Sequence, residues 1–210
     1  MRRLDRAQRR SARVCVVLAL AAFVIAVIVV RVETVSSLDA GTKSLVRDGR
    51  SLALAAPMHA VSLLGSGYVL LPITLAWSVV LWRRGQRTLA VSLPAIGAGA
   101  ALTLALLKWS VGKPRPTLRG YGFPSGHVFG VTVFVVLAVY LLWAFDAPRR
   151  VRRAAQALGI LYVLVVGYSR LYVNAHWLSD VGGGLLAGIL FALVMMLVMD
   201  RQIASSGPSR

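Results

Sequence analysis

The chain has 210 residues, 58% of them hydrophobic, and 24 Lys and Arg against 7 Asp and Glu give it a formal net charge of +17. With a mean hydropathy of +0.73, it is too apolar for an ordinary soluble domain and has the composition of a membrane protein. The charge alone would suit a nucleic-acid partner, but the arginines fall in short clusters between apolar stretches, as they do in membrane proteins.

A membrane-crossing helix needs roughly 20 apolar residues. In chain order the candidates are Val14–Val30, about Ala60–Trp82, Thr88–Leu107, Val128–Phe145, about Ala154–Tyr168, and Leu178–Met199. They predict an all-α, polytopic bundle of six transmembrane helices, because backbone polar groups in lipid must pair within each segment. The first run has a basic flank, but its core is long and no small-x-small site follows Val30, so it is expected to be retained. Between the first two runs, Leu38, Leu45, Val46 and Leu52 suggest a short amphipathic helix on the membrane surface or an ordinary capped loop helix. Pro72 and Pro94 are candidate kinks. No repeat or second domain is visible, so residues 1–210 form one domain with tails at 1–13 and 203–210. Cys15 is alone, which excludes an internal disulfide.

Orientation follows from the basic residues. Arg2, Arg3, Arg6, Arg9, Arg10 and Arg13 precede the first helix. Arg83, Arg84 and Arg87 follow the second, and Arg149, Arg150, Arg152 and Arg153 follow the fourth. Arg201 and Arg210 close the chain. Six helices put all of these on one side, which the positive-inside rule makes cytoplasmic together with both termini. The opposite side keeps Arg31, Lys43, Arg47, Arg50, Lys108, Lys113, Arg115, Arg119 and Arg170.

Three polar clusters then share the outer boundary: Lys108–Pro116, Pro124–His127 and Ser169–Asp180. Ionisable groups at a membrane edge are costly, so they point to function. In the first cluster Pro114 and Pro116 push Lys113 and Arg115 toward extended geometry, so a stiffened turn presents Lys108 and Arg115, a point charge and a planar fork that suit phosphate oxygens. A basic loop drawn to lipid headgroups would look the same. In the second, Ser125 is placed to cap a helix, and Gly126 lets backbone N–H groups approach an anion beside His127. A capped helix with an interfacial histidine is the plainer alternative. In the third, His176 and Asp180 stand four apart, so the carboxylate can fix the ring's tautomer while Arg170 closes over the site; a structural His–Asp tie is the plainer alternative.

Taken in order, Lys-x6-Arg-Pro, Pro-Ser-Gly-His and Ser-Arg-x5-His-x3-Asp resemble the tripartite signature of the type-2 phosphatidic acid phosphatase superfamily. All of its principal residues are present between Lys108 and Asp180. The resemblance implies a metal-independent phosphatase without a cofactor, in which His176 is the nucleophile that becomes a phosphohistidine and Asp180 holds its ring. His127 would protonate the leaving oxygen and then activate water. Lys108, Arg115, Arg170, Ser125 and the Gly126 amide would bind the phosphate. It also implies the bacterial inner (plasma) membrane, an outward-facing site, and a lipid phosphate substrate rather than nucleic acid. Undecaprenyl pyrophosphate, phosphatidylglycerol phosphate and phosphatidic acid are the candidates. A lipid phosphotransferase and a non-catalytic lipid-phosphate binder or transporter are the rival readings. Vanadate haloperoxidases share the signature, but six spans argue against a secreted oxidase.

Lesser features remain. His59 fits an interfacial polar residue or the lining of a substrate entry. Trp109, Tyr121, Tyr168, Tyr172 and Trp177 fit an aromatic belt. Gly184-x3-Gly188 and Gly97/Gly99 permit close helix packing, within the bundle or in a homodimer.

Overall fold

A computed structural model describes residues 1–117 and 120–205. Among these residues the chain is all-helical: α1 Arg6–Val32, α2 Ser37–Asp48, α3 Leu52–Leu64, α4 Gly67–Arg83, α5 Arg87–Val111, α6 Gly126–Ala144, α7 Arg149–Tyr172 and α8 Leu178–Ser205. Five are long and apolar enough to cross a membrane, and α3 with α4, bent by 41° at the break between them, passes the same test as a pair. Arg119 and residues 206–210 of the expected tail lie outside the described residues.

The helix starts and stops explain where the sequence reading was inexact. Arg6–Arg13, expected as a tail, are the first turns of α1, because Asp5 and Gln8 form a reciprocal capping box. At the other terminus Ile203, expected to fray, is buried. The run read as Ala60–Trp82 is broken: Gly65 ends α3 and Ser66 precedes α4. The break lets the chain pass close to its neighbours, since a Cβ on Gly65 would stand 2.6 Å from Val166 and 3.4 Å from the Cβ of His127. α7 extends the short fifth run at both ends, as the apolar Val151 and Leu171–Val173 allow, beginning at Arg149 and running to Tyr172. Pro72 and Pro94 lie inside α4 and α5 without ending either helix.

α6 is the central helix, packed on α8 and α7, while α1 lies along α8 and α4 along α5. Two glycines set the α6–α8 spacing. A Cβ on Gly184 would meet the Ser125 carbonyl oxygen at 2.6 Å, and one on Gly188 would meet Thr132 at 2.7 Å. Gly184-x3-Gly188 therefore serves a contact inside the chain. The core along this seam holds Phe123, Phe129, Leu137, Leu141, Ala187 and Met199. Phe123 also stacks on Phe23 of α1, with ring centroids 6.1 Å apart.

α2 is the expected short helix of the Val32–His59 connection. Leu38 and Leu45 are exposed on it, while Asp39 is turned inward and buried. It packs on α7 and α8, so it is anchored to the bundle as well as presenting apolar side chains outward.

Candidate active site

The ends of α5 and α7 and the starts of α6 and α8 gather at one end of the bundle, which brings the three polar clusters together. Gly112 ends α5 in the left-handed region, at φ 68°, a conformation that a residue without Cβ adopts freely. The chain then doubles back: Pro114 pairs antiparallel with Tyr121, and Gly122 N–H donates to the Lys113 carbonyl at 2.7 Å. This loop is tied to the turn before α8 through Trp177 Nε1, which donates to the Pro114 carbonyl at 3.1 Å. Thr117 also donates to the Asn174 carbonyl, at 2.8 Å.

Lys108 lies in the last turn of α5 and donates to the Tyr121 and Gly122 carbonyls at 3.2 and 3.1 Å. Arg115 Nε donates to the same Tyr121 carbonyl at 3.1 Å. Two cations are thus pinned by one short loop. Gly122 leaves room for this, since a Cβ there would stand 2.5 Å from Asp180 Oδ2 and 3.3 Å from Arg115. Arg170, buried in the last turn of α7, donates to the Ser62 hydroxyl of α3.

His176 lies in the turn before α8 rather than on the helix, and its ring still reaches Asp180: Nδ1 is 3.1 Å from Oδ2. The same oxygen accepts the Trp177 N–H at 3.1 Å. A carboxylate oxygen that accepts leaves Nδ1 to donate, so Nε2 is the free nitrogen. The ring lies outside the spanning segments. Burial pushes its pKa down, Asp180 opposes this, and the net position is below the ordinary 6.5. The ring is therefore neutral near pH 7.

Ser125 stands just before α6, as expected, but its side chain makes no capping bond. Its hydroxyl is fully buried without a hydrogen-bond partner, and so is Arg170 Nε. Buried polar groups are rarely left unpaired, and two unpaired donors at the end of the bundle that holds Lys108 and Arg115 fit an anion. His127 lies within electrostatic reach of Arg170, His176, Arg115 and Lys108. All eight expected site residues (Lys108, Arg115, Ser125, Gly126, His127, Arg170, His176 and Asp180) thus lie at this end of the bundle. No three His, Cys, Asp or Glu side chains gather as a metal site among the described residues.

Three further polar groups belong to the site's surroundings and were not singled out from the sequence. Lys113, counted in the sequence among the basic residues of the outer side, is 2% exposed. It pairs with Asp39 at 2.7 Å and lies 3.8 Å from Asp180 Oδ1. Ser179 donates to Asp39 through both its N–H and its hydroxyl, at 2.8 and 2.7 Å. A lysine directly before a proline inside the first motif was the one available signal. Two aromatic residues expected in a belt are also structural: Tyr172 is buried and bonds Ser51, and Trp177 bridges to Pro114.

From this end an apolar groove of about 950 Å³ runs between α3, α4, α5 and α6. It begins at His59, Ser62, Gly126 and His127 and reaches Leu137 and Leu141, roughly 20 Å along α6 at about 1.5 Å per residue. His59 lines its mouth, and Gly97, with open space beside it, lines its wall.

The PAP2 superfamily profile matches residues 117–204. An uncharacterized 22.5 kDa protein in the cps region of Klebsiella pneumoniae is 32% identical over 147 residues, covering 67% of this chain and 68% of that protein. An undecaprenyl-diphosphatase of Sulfolobus acidocaldarius is 31% identical over 100 residues, 46% of this chain and 39% of the relative. Among solved structures, a transmembrane PAP2 type phosphatidylglycerolphosphate phosphatase from Bacillus subtilis superimposes with a TM-score of 0.81. It is 21% identical, over 90% of this chain and 96% of that one, a likeness of fold. The apolar spans, the three ordered motifs and these matches agree: the chain is a multi-pass membrane protein and belongs to the PAP2 superfamily.

Proposed function

We propose that this chain is a metal-independent lipid phosphatase acting through a phosphohistidine on His176, with a polyprenyl diphosphate as preferred substrate. The observation that carries the reading is one continuous path. An apolar groove able to take a lipid tail ends at His127 and at Ser62, the partner of Arg170. Beyond that end lie Lys108, Arg115 and the His176–Asp180 pair.

In this reading the tail occupies the groove and the terminal phosphate lies among Lys108, Arg115 and Arg170. Ser125 Oγ and Arg170 Nε supply donors that have no partner within the protein. His176 Nε2 attacks phosphorus, its Nδ1–H held by Asp180, and the bond from phosphorus to the bridging oxygen breaks. His127 gives a proton to that departing oxygen. A water then attacks the phosphohistidine, the P–N bond breaks, and His127 takes the water's proton. The fixed cations stabilise negative charge on the equatorial oxygens, usually the largest contribution in phosphoryl transfer.

The basic residues at the other end of the bundle support a cytoplasmic placement for that end and both termini, and an outward-facing site in the inner (plasma) membrane. The undecaprenyl-diphosphatase relative and the length of the groove favour a polyprenyl chain. The test is phosphate release by detergent-purified protein in EDTA, offered undecaprenyl diphosphate, phosphatidylglycerol phosphate and phosphatidic acid, beside His176→Ala. Release that persists in EDTA, is fastest from the diphosphate and is absent in the variant is expected. Release that EDTA abolishes would overturn the metal-independent reading. Faster release from a glycerolipid would overturn the substrate preference, and no release from any of the three would favour transfer or binding.

A further inference from the structure

Lys113 and Asp39 take no part in the steps above, yet they are 2% and 1% exposed. Buried charges are retained only when paired, and the way these two are paired is informative. Asp39 comes from α2, a helix that does not span the bundle. Its Oδ1 accepts the Ser179 N–H at 2.8 Å, and its Oδ2 accepts from Lys113 Nζ and Ser179 Oγ, each at 2.7 Å. Asp39 therefore caps the start of α8, the helix that carries Asp180, from another element. Lys113 also bonds the Ser179 hydroxyl and reaches to 3.8 Å from Asp180 Oδ1.

That oxygen is the open side of the orienting carboxylate. Asp180 Oδ2 is occupied by His176 Nδ1 and Trp177 N, whereas Oδ1 is buried with no hydrogen-bond partner. The cation facing it is Lys113, and the position of Lys113 is fixed by Asp39. We infer that Asp39 and Lys113 are positioning residues for phosphoryl transfer, through which α2 fixes the orientation of Asp180 and hence the ring of His176. The inference rests on the reading of His176 as nucleophile. α2 is then a working part of the site, and its exposed apolar side chains at Leu38 and Leu45 place that part at the boundary where the substrate arrives.

The rival is a purely structural tie between α2, the loop after α5 and α8. Asp39→Asn combined with Lys113→Met separates the two, because removing both members of a buried pair orphans neither charge. The other groups around the His176–Asp180 pair stay in place: Lys108 of α5, Arg115 of the following loop, His127 of α6 and Arg170 of α7. Wild type, the double variant, Lys113→Arg and His176→Ala would be compared by melting temperature, by kcat and KM for phosphate release across pH, and by imidazole ¹⁵N shifts.

Positioning predicts a double variant that melts near wild type, with kcat reduced by about 10–100-fold, the range seen when a group orienting a histidine is lost. KM changes little, and the acid limb of kcat/KM stays near its wild-type position, because one cation and one anion leave together. The His176 resonance, identified by its loss in His176→Ala, shifts from the single Nδ1–H tautomer toward a mixture. Lys113→Arg, which keeps the cation, retains most of kcat and the single tautomer. A folded double variant with wild-type kcat and tautomer would overturn the inference. If the double variant does not fold, Asp39→Asn alone decides: a folded Asp39→Asn protein with wild-type kcat and the single tautomer would overturn it. A wild type that releases no phosphate would count against the phosphatase reading instead, and the tautomer shifts would then decide the positioning role alone.

Discussion

Ser125 donates its backbone N–H to the backbone carbonyl of Asp180 at 2.8 Å, so the starts of α6 and α8 are joined inside the second motif and at the residue that closes the third. The two histidines are thereby held relative to one another by main chain. The bond depends on close approach of the helices, which Gly184 and Gly188 permit.

Gly184→Ala tests that dependence. Its Cβ would stand 2.6 Å from the Ser125 carbonyl oxygen, a backbone atom that cannot turn aside. Overpacking of this kind costs about 1–3 kcal/mol, and here the strain falls on the Ser125–Asp180 link. The expected outcome is a lower melting temperature in detergent together with a lower kcat per folded molecule. Gly97→Ala, at a groove-lining position with nothing within 4 Å, is expected to melt near wild type.

Asp180→Asn keeps the shape of the His176 partner but not its charge. An amide can present its N–H₂ to the ring and favour the wrong tautomer, and kcat should fall about 10³–10⁴-fold, as in other orienting-carboxylate changes. Steady-state phosphate release measures it, with KM expected to change far less than kcat.

The pH dependence has a defined sign. His176 must be neutral to attack, and burial, only partly opposed by Asp180, holds its pKa below the ordinary 6.5. Activity should therefore persist as pH falls through 6.5 and decline only at lower pH. Asp180→Asn removes the influence that raises the ring's pKa, so its residual activity should have an acid limb displaced further down. A kcat/KM profile of both proteins checks the two positions.

At the far end of the bundle, Asp200 is buried and holds the start of the chain. Arg9 contacts its Oδ2 through Nε and a terminal nitrogen, both at 2.9 Å. The Leu4 N–H donates to its Oδ1 at 2.8 Å, and the Tyr140 hydroxyl lies 3.4 Å from the same oxygen. Asp200→Ala should cost about 1–3 kcal/mol per charged hydrogen bond lost, read as a lower melting temperature. The kcat of the folded fraction should be unchanged, because the site lies at the other end of α8.

The parts of the molecule that were legible in sequence are those encoded locally. Hydropathy marked the spans, and the motif spacing brought His176 to Asp180 even though the histidine precedes α8 instead of lying on it. What was not legible depends on contacts between distant segments. Asp39 and Lys113 are 74 positions apart, and neither spacing nor periodicity joins an acid in one loop helix to a lysine after α5. Ser125 was read as a cap from its position, yet its hydroxyl is unpaired, which only the packed structure reveals. The bend at Gly65 was hidden because apolar residues continue across it. The early start of α1 was missed because basic residues outweighed the Asp5–Gln8 box.

The most direct test of the central claim is chemical trapping of the intermediate. Protein carrying His127→Ala, which should slow the water step more than the attack, would be mixed with terminally ³²P-labelled polyprenyl diphosphate, quenched in alkali and digested. Alkali-stable, acid-labile label on the peptide containing His176, absent when His176→Ala is added, is the predicted result. Turnover by wild type with no labelled protein at any quench time, or label on another residue, would contradict a phosphohistidine pathway through His176.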